Sequence, residues 1–220
     1  MTALRSSGTR KRISLNDVKQ QKSRAVPEAK KKRANEECKE ATSESEVSSA
    51  NPRQYWLMKA EPESRIVKGV DVKFSIDDLE KLPSKISPWD GVRNYEARNS
   101  MRDKMRLGDK ILFYHSNCKV PGVAGIAEVV KEGYPDDSAL DPKHPYYDSK
   151  STSDDPRWFR VDVKFVEKFA YVLSLKLLKS AEHQKALSNM VLFKRPQLSV
   201  QPVNPDEFEY IVKLSKSETQ

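Results

Sequence analysis

The sequence is short of several things that would each announce a class of function. It has two cysteines, Cys38 and Cys118, far apart and neither in a C-x-x-C pair, and its three histidines offer no zinc-ligand spacing. A disulfide scaffold, a secreted mini-domain and a zinc finger are therefore excluded, and no metal or cofactor is expected. Only seven of 220 residues are glycine, and none falls in a G-x-G-x-x-G or G-x-x-x-x-G-K phosphate loop. No apolar run approaches the ~18 residues of a membrane span, and mean hydropathy is −0.76. Residues 1–12 lack the apolar core of a secretory signal, so the chain reads as intracellular, with no membrane partner.

Aromatics are missing from the whole N-terminal quarter. All 8 Tyr, 7 Phe and 3 Trp lie at Tyr55 or later. Residues 1–53 hold 13 Lys and Arg against 7 Asp and Glu, whereas the remainder holds 27 against 25. A segment so poor in apolar surface cannot offset its ordering entropy, which predicts a disordered basic tail over 1–53 and a folded domain over 54–220. Two clusters, Arg10-Lys11-Arg12 and Lys30-Lys31-Lys32-Arg33, read as a nuclear-import address, making import receptors a partner and the nucleus the location.

The folded part predicts a mixed α+β fold. Tyr55-Trp56-Leu57-Met58-Lys59-Ala60 has strand length and ends at Pro62. Ser75 caps a short helix with Asp78 near its N-terminus, and residues 92–105 read as a second helix. Residues 110–115 and 123–130 follow as strands, the latter with Gly125 marking a bulge or close backbone approach. After the polar connection 131–157, Phe159, Val161, Val163 and Phe165 alternate with Arg160, Asp162 and Lys164. Short helices over 174–192 and a short strand over 198–201 come next. A final helix opens with Asn204-Pro205-Asp206-Glu207, which supplies a cap, a proline at the first helical position and a capping-box Glu. No βαβ alternation indicates a doubly wound sheet.

Catalytic chemistry is thinly represented. His115 and Ser116 are strand neighbours and point to opposite faces, and His115 meets Cys118 only if the chain turns there. The acid pairs Asp77-Asp78, Asp136-Asp137 and Asp154-Asp155 sit where capping and solvation explain them. By contrast, Trp89-Asp90-Gly91-Val92-Arg93-Asn94 places an aromatic, a turn and donors at a helix start, an arrangement suited to phosphates or base edges and equally compatible with a solvated helix face. Trp158, on the polar side of its strand, either packs inside or lines a slot for a flat ligand.

Six ordered segments resemble the EVE domain family: residues 55–62, residues 89–94, Gly108-Asp109 before Tyr114-His115-Ser116, Pro121-Gly122-Val123-Ala124-Gly125, Trp158 ahead of its strand, and Leu198-Ser199-Val200-Gln201-Pro202. The resemblance implies a PUA-like small β-barrel flanked by short helices, related to the YTH readers. It also implies a non-catalytic pocket for an extruded modified base, chiefly modified cytosine in DNA (5-methyl or 5-hydroxymethyl). On that basis Trp158 and Tyr114 are expected to sandwich the base, Asn94 and Ser116 to bond its edge, and Trp56 and Trp89 to complete the pocket. Lys59, Arg93, Arg98 and His115 would hold phosphates, with Val123 and Gly125 forming a niche for the C5 substituent. The alternatives are a reader of modified RNA, a nucleic-acid-processing enzyme on the same fold, and a peptide-binding module.

Overall fold

A computed structural model describes residues 52–217. The tail expected to be disordered, with both basic clusters, lies outside the described residues apart from Pro52 and Arg53. The elements run β1 (Tyr55–Ala60), β2 (Ile66–Val67), β3 (Val70–Asp71), α1 (Ile76–Lys81), β4 (Ile86–Trp89), α2 (Tyr95–Asp103), β5 (Lys110–His115) and β6 (Gly122–Pro135). A 3₁₀ turn (Asp137–Ala139), β7 (Phe159–Ser174), α3 (Leu175–Leu178), α4 (Ala181–Leu187), α5 (Val191–Lys194), β8 (Val200–Val203) and α6 (Pro205–Ser217) complete them.

The mixed α+β class is correct; the closed barrel is not. Six strands form a sheet in the order β4-β7-β6-β5-β1-β8, and its two edge strands do not pair with each other. Each edge carries a proline, Pro88 in β4 and Pro202 in β8. A proline has no N–H to extend a ladder, so the edges are blunted rather than joined.

Period-2 alternation divides the core between the two faces of the sheet. Trp56, Met58 and Ala60 of β1, with Ile111 and Phe113 of β5, pack against Ile76 and Leu79 of α1 and Ala97 and Met101 of α2. Their neighbours Leu57, Leu112 and Tyr114 face Leu178, Leu187, Phe208 and Ile211 of the C-terminal helices. Each fully buried aliphatic or aromatic side chain contributes about 1.5–3 kcal/mol. The caps form as expected: Ser75 and Asp78 make a reciprocal capping box, and Glu207 accepts from the Asn204 N–H at 3.0 Å.

Three expectations change. β6 and β7 run well beyond residues 123–130 and 159–165, to Pro135 and Ser174, and the extension of β7 buries Phe169 and Leu173 in the core. The polar connector after β1 contains the β2–β3 hairpin, turned by Lys68 (φ 49°) and Gly69 (φ 83°). Residues 86–89, for which the sequence suggests no strand, form an edge strand despite Pro88. Gly125 does mark a close approach: an added Cβ would lie 2.3 Å from the Glu167 carbonyl oxygen, and the β6–β7 register shifts beside it.

Candidate nucleic-acid interface

β1 and β5 are the parallel pair of the sheet, with Lys59 beside Tyr114 and Ala60 beside His115. Just past their carboxyl ends lies a groove of about 980 Å³. That is where open sheets of parallel strands usually leave a crevice, and its volume accommodates a nucleotide. One wall is Lys59, Ala60 and Glu61 with Tyr114, Ser116 and Asn117; the opposite wall is the turn 88–94; the β2–β3 hairpin contributes Val70 at the rim.

Of the expected site residues, Lys59, Trp89, Arg93, Asn94, Tyr114 and Ser116 line this groove. Tyr114 is 3% exposed and lies under the Lys59 ammonium, 5.5 Å from its ring centroid. Burial pushes its phenol up to about 12, so the hydroxyl stays a neutral donor at any ordinary pH. Burial also lowers the Lys59 pKa, and Nζ donates to the Pro196 carbonyl at 2.5 Å. Asn94 caps α2, its Oδ1 accepting from the Glu96 and Ala97 N–H groups at 2.9 and 3.0 Å, which leaves Nδ2 as the group it presents. Ser116 Oγ donates to the Ala60 carbonyl at 3.2 Å and keeps its lone pairs. Trp89 meets Phe113 and Phe74 edge-on, with centroids 5.3 and 6.0 Å away.

Arg93 borders the groove but is not available to a phosphate. Nε and Nη2 donate to the Tyr146 carbonyl at 2.8 and 2.5 Å, Nη2 also to Ser138 Oγ at 3.1 Å, and Nη1 to Asp136 and the Val92 carbonyl at 2.8 and 3.2 Å. A guanidinium has five N–H groups, and these partners use them all. Burial disfavours the Asp136 carboxylate, but bonds from Ser138, Arg93 and Gly91 outweigh it and hold its pKa below the usual range.

The remaining expected residues lie elsewhere. Trp56 is 1% exposed in the core, and its Nε1 donates to Asp109 at 2.9 Å. Trp158 stacks on Tyr95 (centroids 4.9 Å apart, planes 25° apart), and its Nε1 donates to Asp148 at 2.7 Å. The groove wall does not include it, so it does not face Tyr114 across a base; one face is already covered by a ring. Arg98 donates to the Arg157 carbonyl and sits over the Tyr95 ring at 5.0 Å. His115 Nε2 accepts from the Ile76 N–H at 3.1 Å, a bond only the neutral ring can make; burial lowers its pKa. It is neither a phosphate ligand nor a base for Cys118, whose thiol burial pushes up. Val123 and Gly125 are enclosed by the β5–β6–β7 ladder rather than open to the groove.

A family model for the EVE domain matches residues 54–214. The chain belongs to the EVE domain family. Human thymocyte nuclear protein 1 is 51% identical over 174 residues, covering 76% of each chain. An uncharacterised protein of Schizosaccharomyces pombe is 44% identical, covering 76% of this chain and 70% of its own. Among solved structures, human THYN1 in complex with 5-methylcytosine-containing DNA is 49% identical, with a TM-score of 0.72 over 75% of this chain and 99% of that one. A hypothetical protein from Leishmania major is 50% identical, with a TM-score of 0.68 over 76% and 98%.

Pattern reading missed part of this EVE domain's groove. His144, Pro145 and Tyr146, from the polar connection after β6, form a wall. Gly91 (φ 72°) lies so close to the Tyr146 ring that an added Cβ would come within 2.5 Å. The one available signal was that glycine itself, in a turn beside an aromatic.

Proposed function

We propose that this EVE domain is a non-catalytic reader that draws a modified cytosine out of duplex DNA into the groove at the ends of β1 and β5. The observation that carries the reading is the aromatic- and lysine-lined groove on a chain 49% identical to a protein solved with 5-methylcytosine-containing DNA. Flipping a base costs a few kcal/mol, recovered by stacking and edge contacts. Tyr114 provides a stacking wall with Trp89 behind the opposite side, and Asn94 and Ser116 offer a donor and an acceptor to the base edge. Lys59, Lys73 and Lys179, all on the groove wall, hold phosphates in place of Arg93, Arg98 and His115. Ile66 and Val70, 64% and 44% exposed on the rim hairpin, fill the gap in the stack as apolar wedges do. The basic clusters at 10–12 and 30–33 direct the protein to the nucleus.

The test is a titration of the full chain against duplexes identical except for one cytosine, unmodified, 5-methyl or 5-hydroxymethyl. A modified duplex should bind more tightly, and equal affinities for all three would refute the reading. Replacing Lys30, Lys31, Lys32 and Arg33 together by alanine should shift a fluorescent fusion out of the nucleus.

A further inference from the structure

Three acids line the groove: Glu61, Asp71 and Asp90. Two have partners. Glu61 accepts from Asn117 at 2.8 Å and pairs with Arg65 at 2.9 Å; Asp71 accepts from Ser64 Oγ and from the Arg65 and Lys73 N–H groups. Asp90 is half-buried, and no described residue donates a hydrogen bond to its carboxyl. Of the cations near it, Arg93 is saturated by its own partners, and Arg160 Nη2 donates to Asp137 at 2.6 Å while its buried Nε has no partner among the described residues; neither donates to Asp90. Burial and the negative charge of Asp136 raise its pKa, while His144, Arg160 and Arg93 act weakly the other way. Its oxygens stay open to water on the groove side, and a donor on a ligand can replace that water.

We infer that Asp90 selects the base in the groove, its carboxyl oxygen accepting the amino group at C4 of an extruded cytosine. The inference rests on the reader function proposed above and adds which feature of the base is checked. Among the pyrimidines, cytosine presents an amino donor at C4, whereas thymine presents a carbonyl oxygen there. Deamination turns 5-methylcytosine into thymine with no change in shape or in the C5 methyl group. A pocket built only of rings and apolar surface would accept both. Aligned with C4, an ionised carboxylate rejects thymine by placing two acceptors face to face, and leaves the methyl group untouched.

The test uses the full chain and duplexes in which 5-methylcytosine or thymine stands opposite an abasic site, so that neither base loses a pairing partner on extrusion. Wild-type protein should prefer 5-methylcytosine about tenfold or more. Asp90→Asn, whose amide offers a donor as well as an acceptor, should bind both with a preference close to one. Asp90→Ala should reduce 5-methylcytosine binding to the thymine level, with thermal midpoints confirming that both variants fold. Full preference retained in both variants would overturn the inference. A wild-type protein that prefers modified over unmodified cytosine in ordinary duplexes yet binds thymine equally would also overturn it, while leaving the reader function intact. Indifference to every base would remove both.

Discussion

Asp90 and Arg93 lie in one turn, and the fold treats their charges in opposite ways. Arg93 is locked into Asp136, Ser138 and two carbonyls, tying the turn to the connection after β6. Asp90 faces the groove with no hydrogen-bond donor from the described residues. The two aromatic neighbourhoods differ in partner rather than in exposure: Trp158 (6% exposed) has Tyr95 on one face and Asp148 on its N–H, while Tyr114 (3% exposed) lies under the Lys59 ammonium at the wall of the groove. A recognition surface needs both sides. The saturated cluster keeps the turn rigid at no cost in reactive surface, and the unsaturated wall retains the capacity to bind.

The sharpest way to break this contrast is Arg93→Ala. The Asp136 side chain is wholly enclosed, and removing its cation should cost about 3–5 kcal/mol in urea unfolding. Arg93→Lys should recover little, because an ammonium cannot span the same acceptors. Next in size, Tyr114→Ala should lower affinity for the modified duplex by the ~1–3 kcal/mol of one base stack, read by fluorescence anisotropy. Trp158→Phe keeps an aromatic ring but loses part of the indole's packing and the bond to Asp148; it should cost about 1–3 kcal/mol of stability and leave base preference unchanged. If Trp158→Phe abolished preference instead, the groove would be in the wrong place.

A smaller effect is expected at the hairpin. Replacing Ile66 and Val70 together by serine should weaken binding to paired duplex several-fold and leave binding opposite an abasic site unchanged, since no stack then needs wedging. The smallest concerns pH. His115 has a folded pKa below its unfolded value near 6.5, so the unfolded chain binds the extra proton as pH falls. Its contribution is therefore complete above that value and is lost progressively below it. In paired denaturant titrations from pH 7.5 to 5, His115→Gln, which can still accept from Ile76, should flatten that part of the stability decline.

Much of the scaffold was legible in the chain because it depends on local periodicity. β1, β5, the capped helices α1 and α6, and the alternation of β7 were all readable from spacing and capping residues, and the ordered motifs pointed to the family. The long extensions of β6 and β7 were not, since that of β6 is largely polar, the alternation of β7 is interrupted at Glu167-Lys168, and both are held by cross-strand pairing. At the site, Tyr114, Ser116, Asn94, Trp89 and Lys59, singled out from the motifs, line one groove. That Arg93 is tied to carbonyls and Asp136, Arg98 to the Arg157 carbonyl and His115 to the Ile76 N–H was not legible, because a polar side chain looks the same in sequence whether it faces a ligand or the backbone.

The sequence alone determined which stretches alternate, where helices begin and which family signature they carry, because these follow from interactions among near neighbours. Only the tertiary structure decided that the sheet stays open between two proline-bearing edges, that Trp158 packs on Tyr95 while Tyr114 borders a groove, and that Asp90 alone of the groove's acids has no hydrogen-bond donor among the described residues. Each of these depends on which distant segment supplies a partner, and hydrogen-bond satisfaction is a property of the packed whole.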